Sequence, residues 1–390
     1  MTGQDPSTTR TNEPRPARID GLDGLRATGM VLVIFAHAAF AYVHRYPPWL
    51  VWPVQDPPFG FVMDAIVLTA RVVVVPMFFV VSGFFAARAI RERGADAFLL
   101  QRWNRVGVPF FAAVFTLLPL MYLVWLWGLT VSDRASPDHP LKANFQSDVE
   151  SKLYGPAHLW YLEYLFILCA GYWGWRRIIA GPAPAAISGG GRAARTLLHP
   201  SVRAIVLIAP AAAVLCLHPT MLLEFRNTFI PQPWLLAYHA VFFAGGTLLY
   251  HGRDRMKELT RWWWVELLVC IPLLVVFLRA GLDGVIEPGN LRESLAFGGG
   301  AAFAWLAIFG WLGLCIRIGA RDWLRRIARD SYLVYLFHMP LVAIAHVALY
   351  EQPVHTLLKY AAAAAFGLAG SLAIARLLSP TRLGRWLHGA

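Results

Sequence analysis

The chain has 390 residues, of which 57% are hydrophobic and only 15% are charged. Soluble domains are nearer a quarter charged, so the composition excludes an ordinary soluble protein and indicates one that lies in a lipid bilayer. The formal net charge of +12 does not point to nucleic acid, because the arginines sit in short clusters between apolar runs. The four cysteines lie in separate apolar runs and have neither metal-ligand nor disulfide spacing.

Ten stretches of the sequence are apolar enough to cross a bilayer, which takes about 20 residues of helix. Backbone groups cannot go unpaired in hydrocarbon, and these runs are too long for barrel strands, so they are predicted to be helices. The predicted fold is all-α, a polytopic integral membrane protein with about ten transmembrane helices. The predicted spans are residues 25–43, 61–87, 106–127, 158–179, 202–217, 233–250, 262–278, 294–316, 331–350 and 354–376.

The positive charges between the spans predict their orientation. With the N terminus inside, cytoplasmic segments hold 26 of the 35 Lys and Arg residues and external segments hold 7. This bias predicts that both termini are cytoplasmic, with residues 1–18 as a disordered tail and 380–390 as a short C-terminal tail. Residues 128–157 are predicted to be a polar external loop that carries a short helix or shapes a substrate mouth. Residues 181–195 are predicted to be a flexible internal linker.

The first span contains Arg26 and His37, and ionisable residues in a span are costly enough to suggest a function. Eleven residues at 100° each end about 20° past three full turns, so the two side chains share a helix face about 16 Å apart. Arg26 is expected at the cytoplasmic edge and His37 near the midplane. The alternative is a buried histidine that bonds a carbonyl, with Arg26 as an interfacial anchor.

A second candidate site begins the third span, in QRWNRVGVPFF. Arg102 and Arg105 are three residues apart and therefore neighbours on a helix. Two guanidinium groups at this spacing suit bidentate binding of phosphate. The alternative is that they only mark a cytoplasmic helix end.

Other polar residues fall within or near the spans. Arg71 lies in the second span, with Asp64 and Glu163 as possible partners by depth. That span also contains Pro76 and the Ser82–Gly83 pair, which favour a kink or a close approach to a neighbouring helix. The further candidates are His158 at the outer interface, Tyr332, and His338, a base or a packing residue roughly 12 Å deep in the ninth span.

Five sequence blocks occur in an order that resembles the acyltransferase-3 family of membrane proteins. They are GLDGLRATGMVLVIFAH, PMFFVVSGFF, the RxxR pair, HLWYLEYL and SYLVYLFHMPL. The resemblance covers about residues 19–376 and is greatest to the glucan-modifying OpgC/MdoC-like branch. Many members carry an acidic residue just before the FF of the second block, whereas Val72–Met77 contains none here.

The resemblance implies transfer of an acyl group, often acetyl or succinyl, from cytoplasmic acyl-CoA to a hydroxyl of a glycan or other envelope acceptor. It assigns His37 as the catalytic base, and Arg26, Arg102 and Arg105 to the donor. Acyl-CoA is then a substrate, and neither a permanently bound cofactor nor a metal is expected. Two routes are left open. The acceptor hydroxyl attacks the thioester directly, or it attacks an acyl-His intermediate that forms first.

The implied domain covers residues 19–379, in the plasma (inner) membrane, with the bilayer, acyl-CoA and the acceptor as partners. The oligomeric state is left open by the sequence. One competing function is a transporter or flippase that uses the intramembrane Arg and His residues for an anionic or lipid-linked solute. The other competing function is a non-catalytic membrane scaffold. The paired Arg and His residues argue against it, because a scaffold does not need them.

Overall fold

The computed structural model of the protein describes residues 20–45, 50–139, 142–145, 154–180, 199, 202, 204–222, 227–282, 291–319, 321–382 and 384. Over these residues the chain forms ten α-helices and one short β-hairpin, and each predicted span overlaps one helix. The helices are α1 Asp20–Ala39, α2 Gly60–Arg93, α3 Ala95–Val131, α4 Trp160–Ala180, α5 Ala209–Leu217, α6 Pro233–His251, α7 Leu259–Leu282, α8 Leu291–Ile318, α9 Asp322–Leu349 and α10 Thr356–Leu378. The predicted tail 1–18, the linker 181–195 and most of the tail 380–390 lie outside the described residues.

Seven of the described helices, α1 to α3 and α7 to α10, are long and apolar enough to cross a membrane. The protein is therefore a multi-pass membrane protein. The other three fall short for reasons visible in their sequences. Helix α5 has only nine residues, and α4 and α6 contain more aromatic and polar side chains.

The loop that follows α3 contains two short strands, and the other described elements are all helical, in agreement with the predicted all-α fold. Strands β1, Ala135–His139, and β2, Lys142–Phe145, pair antiparallel, with Ala135 opposite Phe145. The expected short helix is absent from the described part of this loop. Pro137 lies within β1, and a proline removes a helical hydrogen-bond donor and clashes with the preceding turn.

Three of the described helical stretches contain a π turn, and each π turn ends two residues before a proline. A proline cannot donate a hydrogen bond to the preceding turn, so a helix adjusts its register before it. The Val75 N–H bonds to the Ala70 carbonyl and the Val108 N–H to the Trp103 carbonyl, each five residues back. The π turns and their prolines are Ala70–Val74 with Pro76, Trp103–Gly107 with Pro109, and Ala204–Ile208 with Pro210.

Helices α2 and α6 pack with their backbones in close contact, which confirms the approach predicted from Ser82–Gly83. A Cβ atom built on Gly83 would lie 1.9 Å from the Phe243 carbonyl oxygen. One built on Gly246 would lie 1.9 Å from the Val80 carbonyl oxygen. Only glycine fits at either position, and this contact fixes α2 against the rest of the bundle.

The end of α1 is covered by the segment that follows it. Trp52 is fully buried, packs edge-on against Phe40 and donates a hydrogen bond to Nδ1 of His346 at 2.8 Å. His37 lies in the last turn of α1, and a 3₁₀ turn over Phe40–Tyr42 continues the chain directly after that helix. The covering segment places this helix end inside the protein.

Candidate active site

A cavity of about 1030 Å³ runs between α1, α2, α3, α4 and α9. At one end it is lined by Arg93, Arg102 and Arg105, from the end of α2 and the start of α3. We call this the arginine end. At the other it is lined by the aromatic residues Trp125 and Tyr154, and we call this the aromatic end. The cavity thus joins the two ends of the helical bundle.

His37 lines the cavity, and behind it lies the fully buried His338. Nδ1 of His37 lies 2.9 Å from Nε2 of His338. On the other side of the His338 ring, Nδ1 lies 2.7 Å from the Tyr335 carbonyl oxygen and 3.1 Å from that of Val334. A carbonyl can only accept, so Nδ1 of His338 carries a proton and its Nε2 is an acceptor.

This arrangement assigns the proton on His37. Nε2 of a neutral His338 accepts, so Nδ1 of His37 must donate, and Nε2 of His37 is left as an unprotonated base. The Nε2 atom has no hydrogen-bond partner among the described residues. His338 also lies further along its helix than expected, 16 residues and about 24 Å from the start of α9, because that helix begins at Asp322 rather than near residue 331.

His158 completes a histidine cluster, which we define as His37, His158 and His338. Its ring lies edge-on to that of His338 at 5.6 Å, and its Nε2 donates to the Leu336 carbonyl at 3.2 Å. The Tyr335 hydroxyl donates to the His158 carbonyl oxygen. His158 is 5% exposed, because the turn that carries it folds inward against α9. Its predicted depth at the outer interface stays a prediction.

Arg26 lines the same cavity as His37, which confirms that the two residues share a helix face. Its guanidinium donates to the Ser331 hydroxyl at 2.9 Å and lies 3.7 Å from the Asp23 carboxylate. Arg26 is therefore held by α9 and by its own helix while one edge faces the cavity.

Arg102 and Arg105 both line the arginine end, so the predicted pair faces one space. Arg102 stacks over the Phe98 ring with its central carbon 5.3 Å from the ring centre. Its Nε is buried and forms no hydrogen bond with a described residue. Arg105 lies within a π turn, which contains one residue more than an α turn.

Four other residues named in the sequence predictions take different positions. Arg71 lines the cavity from the π turn of α2 and interacts electrostatically with Tyr164 and His239. Asp64, a suggested partner of Arg71, accepts a hydrogen bond from the Arg45 backbone. The two remaining candidates differ in their position relative to the cavity. Tyr332 lines it, whereas Glu163 is not among its described lining residues.

Several polar residues of the cavity are not among the site residues predicted from the sequence. The Ser82 and Tyr161 hydroxyls are 3.0 Å apart between the arginine end and the histidine cluster. Gln101 and Arg93 lie at the arginine end. Gln101 directly precedes Arg102 in the sequence, and that adjacency is the signal that could have identified it.

The family model described as an acyltransferase domain, that of the acyltransferase-3 family, matches residues 19–376. The chain belongs to the acyltransferase-3 family. The match covers every helix that lines the cavity. Family membership makes the protein an acyltransferase, an enzyme that transfers acyl groups other than aminoacyl groups. No curated protein and no solved structure matches the chain.

Proposed function

We propose that this acyltransferase moves an acetyl or succinyl group from cytoplasmic acyl-CoA to a hydroxyl of a glycan or other envelope acceptor. One observation carries the proposal: a single cavity joins a cluster of arginines to a histidine with a free basic nitrogen. Anion binding and proton abstraction are the two tasks that this transfer requires, and the cavity provides a path between them.

The arginine end suits the phosphates of CoA. Guanidinium groups bind phosphate oxygens bidentately, and Arg102 and Arg105 present two of them to one space. Arg26 lies further along the cavity, about 16 Å from His37 along α1. An extended pantetheine arm that passes Arg26 would bring the thioester towards the histidine cluster.

In the proposed reaction Nε2 of His37 takes the proton of the acceptor hydroxyl as its oxygen attacks the thioester carbonyl. The tetrahedral intermediate collapses with cleavage of the C–S bond, and the leaving thiolate takes the proton back from His37. His338 accepts the Nδ1–H bond throughout and so holds the ring and its tautomer. Because the cavity reaches both ends of the bundle, donor and acceptor can meet inside it. The proposed transfer is therefore direct, without an acyl-His intermediate.

The aromatic end is the proposed acceptor entrance. Tyr122 and Tyr154 stack with ring centres 6.4 Å apart, and Trp125 and Asn227 line the same end. Flat aromatic faces beside an amide suit a sugar ring, which has apolar C–H faces and polar edges. Membership of the glucan-modifying OpgC/MdoC-like branch would agree with a glucan acceptor.

The proposed topology has ten spans, with the arginine end and both termini in the cytoplasm of a plasma (inner) membrane. It rests on the excess of Lys and Arg on one side of the bundle. Single cysteines at Ser136 and Ala95 test it in intact cells with an impermeant thiol reagent. Labelling is expected at Ser136 in β1 and not at Ala95, and the reverse pattern would contradict the orientation.

The activity is tested with purified protein, acetyl-CoA or succinyl-CoA and a thiol reagent that detects released CoA. Acceptor-dependent release is expected from the wild-type protein and not from His37→Ala. If solute crosses proteoliposomes and no CoA is released, the transporter alternative replaces the proposal. Mass spectrometry of envelope glycans with and without the gene then identifies the acyl group and its acceptor.

A further inference from the structure

The last residue of α2 reaches the arginine end through a sharp turn. Gly94, with φ at +83°, separates α2 from α3 and brings Arg93 beside the first turns of α3. The side chain of Gln101 lies between two guanidinium groups. In the amide orientation that satisfies both, its carbonyl oxygen accepts from Arg93 Nη1 at 2.5 Å and from Arg105 Nη1 at 3.3 Å.

The arginines near this position differ in whether they have an acidic partner. Arg88, one turn earlier on α2, bonds to the Glu92 carboxylate at 2.8 Å. By contrast, neither Arg93 nor Arg102 forms an ion pair with a carboxylate in the described part of the chain. Arg105 interacts electrostatically with both of them, as one cation with two others. A bound anion would offset this repulsion, so the cluster is arranged for a multiply charged ligand.

The depth of the three arginines provides an order. Arg102 and Arg105 are half-buried in the cavity, whereas Arg93 is exposed at its mouth. CoA carries its phosphates in a matching order: the diphosphate joins the pantetheine arm to the ribose, and the 3′-phosphate lies on the far side of that ribose. A donor with its thioester towards His37 would therefore place the 3′-phosphate furthest out.

We propose that Arg93, held by Gln101, binds the ribose 3′-phosphate of the donor and makes the enzyme select CoA over 3′-dephospho-CoA. This inference rests on the proposed use of acyl-CoA and adds a determinant of specificity to it. Arg102 and Arg105 then bind the diphosphate, and Gln101 is a positioning residue that keeps two like charges in one site.

The test measures the affinity of the full-length protein for CoA and for 3′-dephospho-CoA at one fixed salt concentration. The wild-type protein is expected to bind CoA about tenfold more tightly, as for a charge-assisted bond at an exposed site. In Arg93→Gln this ratio should fall close to one, while the affinity for 3′-dephospho-CoA stays unchanged. Gln101→Ala should lower the ratio partly.

The matched control is Arg91→Gln, which removes an exposed arginine of the same helix end that is not among the described lining residues. It should leave the ratio at its wild-type value. A ratio that persists in Arg93→Gln, or falls equally in Arg91→Gln, overturns the subsite. Equal, tight binding of both ligands to the wild type overturns the subsite alone, whereas binding of neither overturns the CoA donor as well.

Discussion

The arginine end and the histidine cluster of the cavity are built in different ways. Arg93, Gln101, Arg102 and Arg105 lie within 13 consecutive residues, joined by one glycine turn. The histidine cluster instead joins three helical elements, and the two histidines that bond each other are 301 residues apart. An anion site can be assembled locally from two helix ends, but a positioned base needs partners that only tertiary packing supplies.

The two regions also differ in their contact with solvent. Arg93 is exposed, whereas His338 is fully buried and fixed by two backbone carbonyls. Charge attraction acts over several ångströms and tolerates motion, but proton transfer requires hydrogen-bond distance. Substitutions in the histidine cluster are therefore expected to affect turnover, and those at the arginine end to affect donor affinity.

The largest effect is expected from His37. His37→Ala or His37→Gln should lower kcat by about 10²–10⁴-fold, because neither side chain can accept a proton near neutral pH. Donor affinity should stay near the wild-type value, which acyl-CoA binding and single-turnover assays can measure together. Normal turnover in either variant would refute the assignment of the base and leave the cavity without a catalytic group.

A smaller effect is expected from His338, which acts through His37. His338→Ala should lower kcat by about 10–10²-fold with little change in KM, because the His37 ring loses the acceptor that sets its tautomer. His338→Gln should recover part of the activity, since an amide oxygen can accept the same Nδ1–H bond. If the glutamine variant is no better than alanine, His338 contributes packing rather than orientation.

A substitution at the arginine end should change KM rather than kcat. Arg102→Gln is expected to raise KM for acyl-CoA by about tenfold and to leave kcat nearly unchanged, because a phosphate contact made in the ground state persists in the transition state. Initial rates over a range of donor concentrations separate the two. A fall in kcat with constant KM would show that the arginine end takes part in the chemistry.

The smallest effect is expected from Glu163, which is not among the described lining residues of the cavity. Glu163→Gln keeps the size of the side chain and removes its charge, so kcat and KM should change by less than about twofold. The matched comparison is Ser82→Ala, which removes a hydroxyl bonded to Tyr161 inside the cavity. A large loss of activity in Glu163→Gln alone would extend the site beyond the cavity.

The sequence by itself determined the positions of the helices and the face of α1 that lines the cavity. Hydropathy located ten helices because each apolar stretch is continuous and local. Helical periodicity placed Arg26 and His37 on one face, and both line the cavity. Local chemistry also determined the π turns, since each precedes a proline that is visible in the sequence.

Only the tertiary structure decided which residues meet. It placed His338 against His37 and turned His158 inward against α9. The hairpin and the start of α9 also departed from expectation, because the boundary of an apolar run does not mark the boundary of a helix. Contacts between helices depend on side-chain shape and on close approaches such as that of Gly83. Hydropathy does not encode them, because most sides of a membrane helix are equally apolar.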